Sequence, residues 1–204
     1  SPDTITIHKY LQILKKKKIE NVIIEASSHG LDQRRLHHIN FKAGIFTNFS
    51  QDHLDYHKTM KAYLSSKLIL FSKLLPKKKY IITDKSIREY LYLRKISKNR
   101  KLKILDIREE LNIIKNIDLP LVGLFQMKNL SMAILAAKLC NLKNFKIYNV
   151  LKKIKNVDGR LDLIKKYPDN LRVFIDYAHT PDALNEAIKS LKNNFNKISL
   201  VFGC

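Results

Sequence analysis

The chain has 204 residues, 45% hydrophobic and 28% charged, with 39 Lys+Arg against 18 Asp+Glu and a formal charge of +21. An apolar share of this size can bury a core that offsets chain entropy, which argues against disorder. No run of 18 uncharged apolar residues occurs and the start Ser1-Pro2-Asp3-Thr4 is polar, so the expectation is a soluble cytoplasmic protein without a membrane span or signal peptide.

In chain order, residues 5–14 read as an amphipathic helix and 21–26 (NVIIEA) as a short apolar strand. Residues 43–47 repeat the strand signal, 60–75 form a strong helical pattern, and 80–83 give another strand. Residues 84–118 are a more weakly patterned α/β stretch, and 127–139 form a clear helix. The pattern restarts near 156–160, with strands expected at 171–175 and 198–202 around a helix at 181–191. Alternating strands and helices imply an α/β fold with a mainly parallel sheet covered on both faces. A domain boundary is expected at the restart, giving domains 1–155 and 156–204. A strand that delivers the chain to Gly203-Cys204 and stops is an unusual domain end, so truncation is expected there.

Cys140 and Cys204 stand far apart without a CxxC or Cys/His ladder, the pattern of two reduced thiols. The charge suits phosphate polymers, anionic lipid or acidic small substrates without choosing among them. A nucleic-acid-binding module requires basic side chains gathered on one face. Here the lysines are scattered through every segment, in runs such as 15–18 and 77–79, and read as solvated faces. Neither nucleic acid nor membrane is expected as a partner.

Four constellations carry chemistry. After the first expected strand, Glu25 stands where a doubly wound sheet exposes side chains to ligand, and Ser27 and Ser28 with a helix start offer hydroxyls and free N–H groups to an anion. Arg35 adds a bidentate fork; the bland alternative is a capped helix with a basic turn. After the second strand, His53 and His57 are four apart, but Leu54 stands where a zinc protease HExxH has its glutamate. Asp52, Asp55 and Glu25 make oxygen-rich surroundings that suit magnesium, while either histidine can instead be hydrogen-bonded at a helix start. Lys67 falls on the buried stripe of Met60, Tyr63, Leu64, Leu68, Phe71 and Leu75. Such an amine snorkels, pairs, or loses its proton and takes up carbon dioxide as a carbamate. Finally, a strand ends at Asp176, placed to accept hydrogen bonds from ribose, with Tyr177 and His179 offering flat faces to a base before Thr180 caps a helix that begins at Pro181.

Taken together, EASSHGLDQRR, FTNFSQDHLDYHKTMKAYLSSK, GLFQMKNLSMAILAAKL and VDGR with IDYAHTPDAL resemble the Mur ligase family in order and spacing over nearly the whole chain. The resemblance implies a central ATP-binding domain followed by the start of a Rossmann-like C-terminal domain. It also implies ATP-driven amide formation through an acyl phosphate, in peptidoglycan synthesis. It makes Glu25 and His53 magnesium ligands beside a carbamylated Lys67, the three forming the catalytic set. Ser1, Ser27, Gln33 and Arg35 correspond to residues that hold the substrate, and Asn129, Arg160, Asp176, Tyr177 and His179 to nucleotide contacts; Gln126 stands where many members have Asn. The SSHGLDQRR form is similar to members that add meso-diaminopimelate, which makes UDP-N-acetylmuramoyl-L-alanyl-D-glutamate and a diamino acid the expected partners. The family's GxxGKT-type phosphate loop does not occur and is expected upstream of Ser1, and the amino-acid-selecting DNPR-type motif is expected beyond Cys204, so these residues alone are expected to be inactive. Folylpolyglutamate synthase, which shares the fold and the lysine chemistry, is the alternative ligase.

Overall fold

The computed structural model describes residues 2–203, which divide into two compact units, 1–107 and 108–204. In the first, α1 (Thr4–Lys16) is capped by Asp3, which accepts from the Thr6 amide, and α2 (Ser28–Asp32) by Ser27. Strand β1 (Ala43–Phe46) leads through α3 (Leu54–His57) to α4 (Met60–Ile69), which runs on into a π turn over Leu70–Leu74. Strand β2 (Tyr80–Thr83), helix α5 (Tyr90–Arg100) and strand β3 (Lys103–Asp106) complete the unit.

The three strands form a parallel sheet in the order β1-β2-β3, paired from Ala43↔Tyr80 and from Tyr80↔Lys103 onward. Parallel neighbours need crossovers, and α4 and α5 supply them. The central strand is the most buried: Ile81 and Ile82 are fully covered, and Thr83 donates to the Phe46 carbonyl at 3.0 Å. Phe46, Phe71, Leu75, Leu31, Leu36 and Leu93 lie in one core cluster with Ile81. Gly44 permits this packing, because a Cβ there would stand 2.7 Å from Leu75 and 2.8 Å from Phe71.

The second unit holds α6 (Arg108–Ile114), α7 (Leu124–Leu139), α8 (Asn144–Leu151), an antiparallel pair β4 (Asp162–Lys166) and β5 (Arg172–Ile175), and α9 (Pro181–Lys192). Ile114, Ile134, Ile147 and Leu151 form its apolar cluster. Beside it the buried Glu110 accepts from both Lys138 and Tyr148, so its charge is paired as well as hydrogen-bonded.

Two expected strands do not form. Residues 21–26 and 198–202 pair with no strand among the described residues, and Ile23 and Val201 are 94% and 97% exposed. An apolar run makes a strand only when a neighbour completes its ladder. Conversely, β4 was not expected from periodicity: it turns into β5 through Asp169 and Asn170, both at positive φ, the backbone of a tight hairpin turn. No helix among the described residues is long and apolar enough to cross a membrane.

Candidate active site

Beyond the carboxyl end of β1 the chain enters a four-residue helix bracketed by two left-handed residues, His53 (φ 53°) and Lys58 (φ 62°). Non-glycine residues hold this conformation only where their surroundings over-determine it. Asp52 does so at one end, accepting the His53 amide at 2.8 Å with its carboxylate 3.5 Å from His53 Nδ1. The turn buries His57, whose Nε2 lies 2.9 Å from the Oγ of the buried Ser28, and leaves His53 partly exposed. The two histidines therefore differ in burial and hydrogen bonding, although both rings pack on Tyr63.

Helix α4 then starts at Thr59, whose hydroxyl accepts from the Ala62 amide, and presents Tyr63 and Lys67 one turn apart. Tyr63 is buried and acts as a common wall. The His57 ring stacks on it at 5.2 Å, the His53 ring meets it edge-on at 5.8 Å, and Lys67 Nζ lies 5.0 Å from its centroid. Burial, with Asp52 adding to it, pushes the Tyr63 phenol up to about 12. Burial lowers the Lys67 pKa from the ordinary lysine value, against the opposing pull of Asp52 and Glu25. Burial and the neighbouring His29 likewise depress the His57 imidazole.

Helix α2 closes the other side. Ser27 Oγ accepts the Gly30 amide at 3.2 Å, fixing the helix start, and Asp32 accepts from Tyr56 at 2.9 Å and Ser66 at 3.3 Å, tying α2 to α3 and α4. Gln33 accepts from Arg35 and donates to Tyr56 at 3.4 Å. The structure thus gathers Glu25, Ser27, Gln33, Arg35, His53 and Lys67 around α2, α3 and the first turns of α4. Ser1 lies outside the described residues.

No three His, Cys, Asp or Glu side chains among the described residues are grouped to hold a metal. His29 packs ring to ring with His53 and His57 at 4.9 and 5.4 Å. The donor types near Lys67, the carboxylates of Glu25 and Asp52 and the imidazole of His53, are ones that suit magnesium. Burial favours the neutral form of the Lys67 amine, against the pull of the two carboxylates.

In the second unit Arg160, Asp176, Tyr177 and His179 meet in one loop cluster. Asp176 accepts the Leu161 amide at 2.7 Å and the Ala178 amide at 2.8 Å, one on each oxygen, leaving further lone pairs for a hydroxyl. The Arg160 guanidinium lies 4.9 Å over the Tyr177 ring, whose other neighbour is the His179 ring at 5.2 Å. Gln126 is buried and donates to the Arg160 carbonyl at 2.7 Å, and Asn129 is exposed one turn further along α7. Tyr63, Asp32 and His29 had no assigned role in the sequence reading. The available signal for Tyr63 was its place one turn before Lys67.

Two family models match the chain, one over the first unit and slightly past it and one over the C-terminal part of the second unit. The Mur ligase middle domain matches residues 1–114, and the Mur ligase, glutamate ligase domain matches 159–204. The UDP-N-acetylmuramoyl-L-alanyl-D-glutamate--2,6-diaminopimelate ligase of Rickettsia montanensis is 35% identical over 99% of this chain and 46% of its own length. The chain therefore spans about half the length of the curated relatives it matches. A solved structure of a ligase of the same name is 28% identical with a TM-score of 0.61, covering 82% of this chain and 39% of that one. A point mutant of L. casei FPGS, a folylpolyglutamate synthase, shares the fold at 19% identity and a TM-score of 0.61, over 80% of this chain and 45% of that one.

Proposed function

This chain belongs to the Mur ligase family, and from that premise we propose that it serves ATP-dependent amide formation between UDP-N-acetylmuramoyl-L-alanyl-D-glutamate and a diamino acid, meso-diaminopimelate, in the cytoplasm. The observation that carries the reading is the half-buried amine of Lys67, set on the Tyr63 ring within the fields of Glu25 and Asp52. The proposed domain boundary at 155/156 falls in the interval between the two family matches, 1–114 and 159–204, whereas the compact units divide at 107/108.

Amide formation from a carboxylate requires an activated oxygen. The D-glutamyl carboxylate attacks the γ-phosphorus of ATP, ADP leaves, and the incoming amine adds to the acyl carbon and expels inorganic phosphate. Ser27, Gln33 and Arg35 bind and orient the UDP-muramoyl dipeptide through the α2 start and the guanidinium fork. Neutral Lys67 would add through Nζ to carbon dioxide and shed a proton, and the carbamate with Glu25 and His53 would hold magnesium. Bound magnesium supplies charge cancellation between the approaching anions. Asn129, Arg160, Asp176, Tyr177 and His179 bind the nucleotide, with Asp176 on ribose and the Tyr177 and His179 rings on the base. No residue forms a covalent bond to substrate.

The test is phosphate release by the complete gene product. Release is expected only with both the UDP-muramoyl dipeptide and the amino acid present, and Lys67→Ala is expected to lose at least about 100-fold in kcat, in the range of lost transition-state charge stabilisation, with partial rescue by short carboxylates. The 204 residues alone, in which no GxxGKT-type phosphate loop occurs, are expected to release no phosphate, and measurable ligation by them contradicts that expectation. Release without the muramoyl dipeptide, or absence of rescue in a variant that still binds substrate, contradicts the proposal.

A further inference from the structure

His57 is a buried histidine whose ring packs among Tyr56, Tyr63 and His29 and whose nitrogen is hydrogen-bonded. Its Nε2 lies 2.9 Å from Ser28 Oγ, and Ser28 is itself buried at the first residue of α2, directly after Ser27. Its ring face stacks on Tyr63 at 5.2 Å and 26°, and Tyr63 in turn carries Lys67 Nζ. Other residues of this turn touch the same elements differently: Tyr56 donates to Asp32 at the far end of α2, and the His53 ring meets His29 and the edge of Tyr63, so His57 alone of the three joins a buried hydrogen bond on α2 to a stack on Tyr63.

We propose that His57 is a positioning residue for the ligase reaction, with separable duties on its two sides: the nitrogen on Ser28 sets the helix start that anchors the muramoyl substrate, and the ring face on Tyr63 sets the wall against which the Lys67 amine is held. The assignment rests on the function proposed above. The hydrogen bond engages a ring nitrogen and the stack engages the ring face, so the two can be replaced separately.

Two replacements separate the duties. His57→Phe keeps a ring for Tyr63 and strands the buried Ser28 hydroxyl; His57→Gln keeps an amide group for Ser28 and removes the stack. In the complete gene product His57→Phe is expected to raise KM for UDP-N-acetylmuramoyl-L-alanyl-D-glutamate about tenfold, the scale of one lost buried hydrogen bond, with kcat within about twofold. His57→Gln is expected to lower kcat about tenfold with KM within about twofold, the scale of a misplaced catalytic group. Hydrogen exchange at the Gly30 and Leu31 amides, both bonded to Ser27, is expected to quicken in His57→Phe and not in His57→Gln.

Ser28→Ala removes the same hydrogen bond from the other side and is expected to reproduce the KM and exchange changes, which keeps the question open to decision if His57→Phe does not fold. Equal effects of His57→Phe and His57→Gln, or losses that merely track the folded fraction, overturn the assignment. Should the wild-type protein not ligate at all, the proposed function fails while the exchange measurement still decides the duty toward α2: faster exchange in the phenylalanine variant alone supports it, and unchanged exchange overturns it.

Discussion

Lysine tolerates burial poorly because the ammonium loses its water, and Lys67 meets that cost between an aromatic face and two carboxylate fields. Desolvation outweighs the carboxylates, so the protonated form is disfavoured and the free amine appears at lower pH than in an exposed lysine. Competitive labelling with cyanate, followed residue by residue by mass spectrometry, is expected to give Lys67 a midpoint below the ordinary lysine value of about 10.4. Asp52→Asn together with Glu25→Gln is expected to move that midpoint lower still, since both carboxylates favour the charged amine. A midpoint at or above the ordinary value contradicts the neutral-amine account. Lys67 was legible in the sequence because a cation standing in register with an apolar stripe needs an explanation. Tyr63 was not, because an aromatic on such a stripe is ordinary core until its neighbours are seen.

The elements show where periodicity suffices and where it does not. Helices α1, α4, α7 and α9 and strands β1, β2 and β5 follow from local signals, including the Thr180 cap and Pro181 at the start of α9. The runs at 21–26 and 198–202 carry equally apolar sequence, yet a strand is a relation between two segments and no local pattern reports the partner. Close approach is similarly invisible. Gly123, at φ 92°, begins α7 where α9 comes near enough that a Cβ would stand 2.4 Å from Ser190 Oγ. Gly123→Ala is expected to destabilise the second unit by about 1–3 kcal/mol, from backbone strain plus overpacking. Denaturant unfolding would read this as a lower midpoint at unchanged slope, whereas an unchanged midpoint denies the close approach.

At the scale of the whole molecule, the first unit gathers the residues assigned to magnesium and the muramoyl substrate, and the second gathers those assigned to nucleotide. The second site was legible as a strand-to-helix turn rich in Asp, Tyr and His, although its internal wiring was not. That Asp176 gives both oxygens to backbone amides, and that Gln126 secures the Arg160 carbonyl, are facts of tertiary structure. The account turns on whether Glu25, His53 and Lys67 share one cation, and diffraction from manganese-loaded crystals of the complete protein tests this most directly. The expected result is an anomalous peak coordinated by Glu25 and His53, with added density on Lys67 Nζ that contributes an oxygen ligand. A peak bound elsewhere, with Lys67 bare and neither Glu25 nor His53 in contact with the ion, contradicts the account.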